Sequence, residues 1–512
     1  MAVWLLPFLC AIYAVWIGRD ANWDVLNYHY YNAYALLNGR LHQDLAVGQL
    51  QTLFNPLLDV PLYLGMEHLP PRVYAALLGG VQGLNLIVIF SIAKTAWPSP
   101  RVLTRVGPLL VTLVAGCGAA FLTQLGTCFG DSLLSLPLLV ALRILLSDAG
   151  DASRSRTLML AAGVAAGIAC GLRPIAGIYA LALAAAAASL PGSFGLRTGR
   201  LAYLALGGLA GTLLSGGWWF WIVWKATGNP LFPYYNDLFH SPLYWNERFV
   251  FSYFLPKTLT EALLYPWIWL ANSTRVSEMR FFNLAIPGLI TLAAFFGAMW
   301  SLGFTPQGES QKSGAVRALA VFWACAYALW LTQSAVYRFA VVLELLAPLL
   351  IASLLARWVP TRLLATRTIA VLLPVMVLTY PANFGRYAYG DRYMSVAAVP
   401  LPPKTLVAVA GWAPLSYMVP AFPPATPIVR IQSNMHGFPD RPNGLDTEAR
   451  RRLETHDGPI HLLLAADEWS LAQPLLDRYG YHVDRANCQI VDGTLAGGGG
   501  AGRLHLCPLA VH

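Results

Sequence analysis

Arg19-Asp20-Ala21-Asn22-Trp23-Asp24-Val25-Leu26-Asn27-Tyr28-His29-Tyr30-Tyr31 follows directly on the apolar run 2–18. Two acids and several aromatic rings thus stand where a membrane-crossing segment emerges. Carboxylates held at a membrane surface inside an otherwise apolar protein need a reason to be there, and catalysis is one. The other common use of Asp at such a place is to cap a helix N-terminus or to sit in a solvated loop.

The surrounding chain explains why the membrane is the frame. Of its 512 residues 57% are hydrophobic and 12% charged, against roughly 25% charged in an ordinary soluble domain. Many windows reach the roughly 17 to 25 apolar residues that cross a hydrocarbon core. Hydropathy and its breaks predict about eleven transmembrane helices, at 2–18, 73–97, 106–123, 129–147, 157–172, 175–190, 201–224, 283–303, 316–333, 339–356 and 368–380. The first lacks a basic leader and a small-residue cleavage site, which reads as an uncleaved helix. The net charge of +9 does not form a soluble basic stripe with interleaved aromatics, so no nucleic-acid partner is expected.

Basic residues orient the spans. With a cytoplasmic N-terminus, the inner loops carry Arg101 and Arg105, Arg154 and Arg156, Arg197 and Arg200, Lys312, and Arg357, Arg362 and Arg367. The segments 19–72, 226–282 and 381–512 then lie outside. Cys488 and Cys507 fall in the last of these, spaced so that neighbouring strands could bring them together. A disulfide there requires an oxidising compartment and would stabilise by roughly 3 kcal/mol. The other five cysteines lie in or beside apolar spans and read as small hydrophobes.

In the first outer loop, Asp24–Leu37 and Thr52–Leu64 read as surface helices, with Asp24, Tyr28 and Tyr31 on one face. The Ala- and Gly-rich pair 157–172 and 175–190, joined by Gly171-Leu172-Arg173-Pro174, reads as a tight outer hairpin with closely packed backbones. Beyond Tyr380 the composition nears that of a soluble domain. Strands are expected at Thr405–Ala410, Pro427–Ile431 and Ile460–Ala465, and helices at Asp446–Glu454 and Trp469–Tyr479, which together make a small α/β layer. Gly497–Gly500 reads as a loop, because no strand is expected to feed it and no helix to follow it.

Asp24 could accept a proton from a hydroxyl that comes within hydrogen-bond reach. Asp131, in Gly130-Asp131-Ser132 at the outer start of a span, is a second acid at membrane depth, and two facing acids could share a divalent cation or an acceptor. Arg173, Lys225 and Arg338 are outer cations where the positive-inside rule expects few. They could grip a phosphate, or they could snorkel to lipid headgroups. The turn Thr227-Gly228-Asn229-Pro230-Leu231-Phe232-Pro233-Tyr234-Tyr235-Asn236 offers polar and aromatic groups suited to a sugar. His29, His42, His68 and Glu67 show no spacing that fixes a metal site.

Taken in order along residues 1–380, five motifs make the chain resemble the GT-C-type glycosyltransferases. They are Asp24-x-x-x-Tyr28-His29, Gly130-Asp131-Ser132, Gly171-Leu172-Arg173-Pro174, Gly228-Asn229-Pro230-Leu231-Phe232-Pro233 and Tyr337-Arg338-Phe339. Its nearest resemblance is to the protein-mannosyltransferase-like and aminoarabinose-transferase-like bacterial enzymes. The adjacent Asp-Glu pair that many of them carry is absent, which leaves Asp20 and Asp24 both open as the base.

The resemblance implies a polytopic α-helical membrane domain over 1–380, with outer loops 19–72 and 226–282, and a periplasmic α/β domain over 381–512. It implies residence in a bacterial inner membrane among lipids. The implied activity moves a sugar, with inversion, from a polyprenyl-phosphate-linked donor to a glycan, lipid or protein acceptor. In that scheme Asp24, Asp20 and Asp131 are catalytic, while Tyr28, His29, Arg173, Lys225, Asn229, Tyr337 and Arg338 bind substrate. A flippase of lipid-linked sugars and a polysaccharide polymerase are the rival readings.

Overall fold

The computed structural model describes residues 2–99, 102–148, 152–249, 252–306 and 313–511. Arg101 and Lys312, counted among the inner basic residues, lie outside them. Five helices are long and apolar enough to cross a membrane: Pro71–Ala96, Arg154–Leu172, Phe194–Thr227, Gly314–Gln333 and Tyr337–Trp358. Shorter apolar helices cover Val3–Trp16, Gly107–Gly116, Pro174–Ser189 and Ala285–Ser301. The packing divides the chain into two units. One comprises Met1–Ala14, Ala76–Gly217 and Val250–Asn383, the other Val15–Ala75, Trp218–Phe249 and Phe384–His512. The first outer-loop segment and residues 226–249 of the second group with the tail, while residues 250–282 group with the helices.

In the helical unit the core is the helix Val341–Trp358, whose residues are almost all buried. Its one acid, Glu344, breaks the expected span 106–123 in two. The chain runs as Gly107–Gly116 and then Ala119–Gln124, and a Cβ at Gly118 would sit 2.2 Å from the Glu344 carboxylate. That carboxylate accepts hydrogen bonds from the Ala120 and Phe121 N–H groups, each at 3.1 Å, which are donors a new helix start leaves unpaired.

Gly163, Gly167 and Gly171 recur every fourth residue, so they form one stripe along the helix Ala152–Leu172. The stripe meets Gly207, Gly208 and Thr212 of Phe194–Thr212, where added Cβ atoms would come within 2.1 to 2.5 Å of backbone oxygens or a Ser215 hydroxyl. The close backbone approach is therefore to Phe194–Thr212, and it corrects the expectation that the hairpin partner 175–190 supplies it. Small residues of this kind are what let apolar helices associate where lipid removes the hydrophobic drive. Arg200, one of the inner basic residues, is buried and bound to Asp148 at 2.7 Å.

The second unit holds two sheets. Arg19–Asp20 (β1) pairs antiparallel with Arg386–Tyr387 (β2). The larger sheet contains Leu406–Val409 (β3), Ile428–Arg430 (β4), Ile460–Ala465 (β5), Tyr481–Val483 (β6), Gln489–Thr494 (β7) and Gly500–Val511 (β8), in the order β4-β3-β5-β8-β6 with β7 also on β8. β4, β3 and β5 run parallel, and β8 is antiparallel to its neighbours. Helices Gly444–Glu454 and Trp469–Tyr479 cover the sheet through Ala449, Leu453, Ala472 and Leu476. A strand does feed the glycine run: Gly497, Gly498 and Gly499 all have positive φ and turn β7 into β8. That corrects the expectation of an isolated loop. Cys488 and Cys507 are joined by a disulfide.

The first outer loop is stitched to this sheet. Arg40 and Asp44 pair through two hydrogen bonds of 2.8 Å. Arg40 also donates to the carbonyls of Pro424 and Thr426, while Asp44 accepts from the Ile428 N–H. Leu45 bridges to Val429 beside β4, and the buried Arg430 guanidinium donates to the Val47 carbonyl. Burial lowers the pKa of Arg430 to about 10. Thr52–Leu64 is not one helix: a short turn Gln49–Leu53 is followed by Asp59–His68. Pro56 lacks an N–H and disfavours helix at Asn55, so the helix starts only beyond it.

Candidate active site

The helical unit contains one half of the chemistry predicted from sequence. Gly130 adopts a left-handed conformation (φ +88°) that turns the chain into the helix Asp131–Leu145, leaving Asp131 at its first position. Asp131, Leu134, Leu138, Ile175, Ala176, Tyr179, Phe339, Val341 and Val342 line one largely apolar pocket. Arg338, one residue before the pocket-lining Phe339, carries its guanidinium 4.4 Å from the centre of the Phe129 ring and 5.2 Å from that of Phe339. Arg173 is buried at the bend before Pro174–Ala176, the turn that forms another wall. The Tyr179 hydroxyl donates to the Phe339 carbonyl and so fixes that wall. Asp131 is the charged residue of the pocket lining, while Arg173 and Arg338 each directly precede a lining segment in the chain. A guanidinium over aromatic faces is attracted to their ring electrons, and its planar fork can also bind an oxyanion through two N–H groups.

Tyr337 does not share in this. Its hydroxyl donates to Glu344 at 2.6 Å, and its ring stacks on Phe281 with centroids 4.1 Å apart. The side chain is 3% exposed, and its hydroxyl bond to Glu344 holds the backbone just ahead of Arg338.

The second unit holds the acidic loop. Asp20 lies in β1, and its carboxylate accepts from the Asn22 N–H at 3.1 Å and the Asn22 amide at 2.7 Å. Asn22 in turn accepts from the Val25 N–H, so this pair shapes the entry to the helical segment. Asp24 opens that segment, a wide turn at Val25–His29 leading into Tyr30–Leu37, and is 8% exposed. Tyr28 packs on His29, with ring centroids 4.2 Å apart, and edge-on to Phe54. His29 Nδ1 lies 2.7 Å from Asp59 Oδ1, both side chains being buried. Around them Tyr30 donates to Glu67 at 2.7 Å and Tyr31 to Asp44 at 2.8 Å. Burial, then the neighbouring Asp44, pushes the Tyr31 hydroxyl well above its ordinary pKa and keeps it a donor.

Two expected ligand groups have other work. The Asn229 amide donates to the Tyr234 carbonyl at 2.9 Å and accepts from the Leu231 N–H at 2.9 Å, which makes it the internal brace of its turn. Lys225 is exposed, with its ammonium 4.8 Å from the centre of the Trp221 ring. It shares a helix face with Trp218 and Trp221, 36% and 54% exposed, the arrangement of a cation snorkelling from an apolar surface.

Asp59, Tyr179, Phe129 and Glu344 were not singled out from sequence. Glu344 carried a usable signal, an acid within an apolar span. Asp59 carried none, since its partner His29 is remote in the chain. Among the described residues, Cys488, His505 and Cys507 have the mutual reach of a metal site, but the two sulfurs are bonded to each other.

No family model and no curated protein matches the chain. Among solved structures, ArnT from Cupriavidus metallidurans bound to undecaprenyl phosphate aligns over 99% of this chain and 97% of its own, with a TM-score of 0.51 and 12% identity. The apo state of ArnT from the same organism aligns over 98% and 97%, with a TM-score of 0.40 and 16% identity. The chain therefore shares its fold with that solved structure of ArnT. The likeness to ArnT runs over 99% of this chain.

Proposed function

We propose that this protein is a membrane glycosyltransferase that moves a sugar from a polyprenyl-phosphate carrier to a hydroxyl acceptor at the periplasmic face of a bacterial inner membrane. The observation that carries the reading is the apolar pocket lined by Asp131 and Phe339, with the Arg338 guanidinium over the Phe129 and Phe339 rings. Apolar walls suit an isoprenoid chain, and guanidinium groups suit the phosphate at its head. The fold likeness to ArnT, solved with undecaprenyl phosphate, supports the same class of donor.

Asp24 serves as the base, supported by the commitment of the Asp20 carboxylate to Asn22. The acceptor oxygen attacks the anomeric carbon as its proton passes to Asp24. The bond from that carbon to the phosphate oxygen breaks with inversion, and the electron pair leaves on the lipid phosphate. Arg173 and Arg338 stabilise the charge gathered there, where low polarity strengthens the attraction. Asp131 orients the acceptor. The scheme asks nothing of a divalent cation, so a chelator leaves turnover unchanged. Product formation by the purified protein, with a synthetic lipid-phosphate sugar, is the decisive assay. Transport of the intact lipid without formation of a glycosidic bond would replace this reading with a flippase.

A further inference from the structure

Gln124 ends the short helix Ala119–Gln124 and is wholly buried. Its amide oxygen accepts from the Ser132 N–H at 2.8 Å, and its amide nitrogen donates to the Arg338 carbonyl at 3.0 Å. One side chain thus ties the residue next to Asp131 to the backbone of Arg338. The tie is itself braced. Gln82 donates to the Gln124 carbonyl at 3.0 Å and to the Thr127 carbonyl at 3.1 Å, and accepts from the Gly126 N–H at 2.6 Å. Asn85 donates to the Ser132 carbonyl at 2.7 Å. At the other end of the helix Glu344 holds the Ala120 and Phe121 N–H groups and receives the Tyr337 hydroxyl, one residue before Arg338.

Amide, carboxylate and hydroxyl groups this deep are costly unless each finds its partners, and a satisfied network fixes one arrangement. Gln124 is the member that touches both functional elements. Neither a carboxylate nor an apolar side chain can replace it, because the site needs an acceptor toward Ser132 and a donor toward Arg338 on the same group.

We propose that Gln124 is a positioning residue that sets the register between Asp131 and Arg338, so that acid and cation address the same lipid-phosphate sugar. The proposal rests on the glycosyltransferase reading above, and it assigns to an uncharged buried amide a specific effect on turnover. Gln124 itself touches no substrate.

A double-mutant cycle tests it, using the full-length protein in lipid nanodiscs and a synthetic polyprenyl-phosphate sugar. Gln124→Met is expected to lower kcat/KM by about 10- to 100-fold, mainly in kcat, as misplacement of a reacting group does. Its melting temperature should stay within a few degrees of the parent. In an Arg338→Ala background the same change should cost less than about 3-fold, because the group it positions is gone. An equal loss in both backgrounds would show a general structural role and overturn the proposal, while the glycosyltransferase reading stands on the loss caused by Arg338→Ala alone. Normal turnover of Arg338→Ala would remove the phosphate grip, and the positioning role with it. Should Gln124→Met not fold, Gln82→Met, one bond further out, enters the same cycle with the same expected non-additivity and a smaller loss.

Discussion

In the sheet-bearing unit Arg40 meets Asp44 through two hydrogen bonds of 2.8 Å with both side chains buried. In the helical unit Glu344 is held by two backbone N–H groups and a tyrosine hydroxyl, while Arg338 lies over two aromatic rings. The first arrangement matches charge to opposite charge, so either partner alone would be an uncompensated buried ion. The second surrounds the Glu344 carboxyl with neutral dipoles and lays Arg338 over ring faces. The buried pair secures the loop that carries Asp24, while under the proposed function Arg338 is a group that meets the lipid phosphate.

The sharpest way to break this comparison is to remove one charge from the acidic loop without changing its shape. Asp24→Asn should keep the fold and the binding of a lipid-phosphate sugar while lowering transfer by about 10²- to 10⁴-fold, the span of a lost general base. Asp20→Asn keeps the acceptor toward Asn22 and should lose much less. If the two variants exchange these outcomes, the base is Asp20 and the turn has been misread.

Next in size is the pairing itself. Asp44→Asn leaves Arg40 buried without its counter-charge and should destabilise by about 3 to 5 kcal/mol, read by thermal or denaturant unfolding. Replacing both residues with apolar groups of similar volume should recover much of that loss. Recovery would show that the pair specifies the join between residues 40–47 and β4 more than it stabilises it. A harmless Asp44→Asn would mean that water reaches the pair and that the two kinds of burial are not distinct.

What the sequence made legible follows the same division. Helical periodicity and hydropathy located the long spans, and short apolar runs located β3, β4 and β5, because each signal is local in the chain. β6 to β8 escaped notice. In β7 the buried Val491 alternates with exposed neighbours, and β8 contains Pro and Gly. The motifs picked out Asp131, which lines the pocket, yet the residues that hold its surroundings were hidden, since Gln124 reaches Ser132 and Arg338 by contacts remote in sequence. Lys225, Asn229 and Tyr337 were singled out by residue type and motif, while their contacts in an exposed helix face, a turn and a buried hydroxyl bond depend on which way each side chain points. Glu344 was legible as an acid in an apolar span, but the helix break it enforces was not.

A third substitution extends the comparison to packing, where two helices of the helical unit meet through bare backbone. Gly167→Ala would place a methyl 2.1 Å from the Gly208 carbonyl oxygen. Forcing the helices apart should cost about 1 to 3 kcal/mol, seen as a lower melting temperature in detergent. Gly177→Ala is the matched control, since nothing lies within 4 Å of its added carbon. Equal melting temperatures for the two variants would mean that the stripe tolerates separation.

The smallest effect lies on the tail's surface, where ion pairs are neither buried nor solvent-free. Glu448 accepts hydrogen bonds from Arg451 at 2.7 Å and Arg452 at 2.9 Å. The Arg451 bond first, then that from Arg452, holds its carboxyl at about 2 in spite of partial burial. An unfolded Glu titrates near 4.3, so the folded value is depressed. The stabilisation is then complete above about pH 4.3 and is lost as pH falls from there toward 2. Solvent screening limits it to about 1 kcal/mol or less at neutral pH. Glu448→Gln should therefore lower stability slightly at pH 7 and leave it unchanged at pH 2. A difference between the two proteins that persists undiminished at pH 2 would show that packing of the side chain, not its charge, holds this face of the helix Gly444–Glu454. It would also remove the contrast with Arg40 and Asp44, whose exclusion from water is what should make their pairing count.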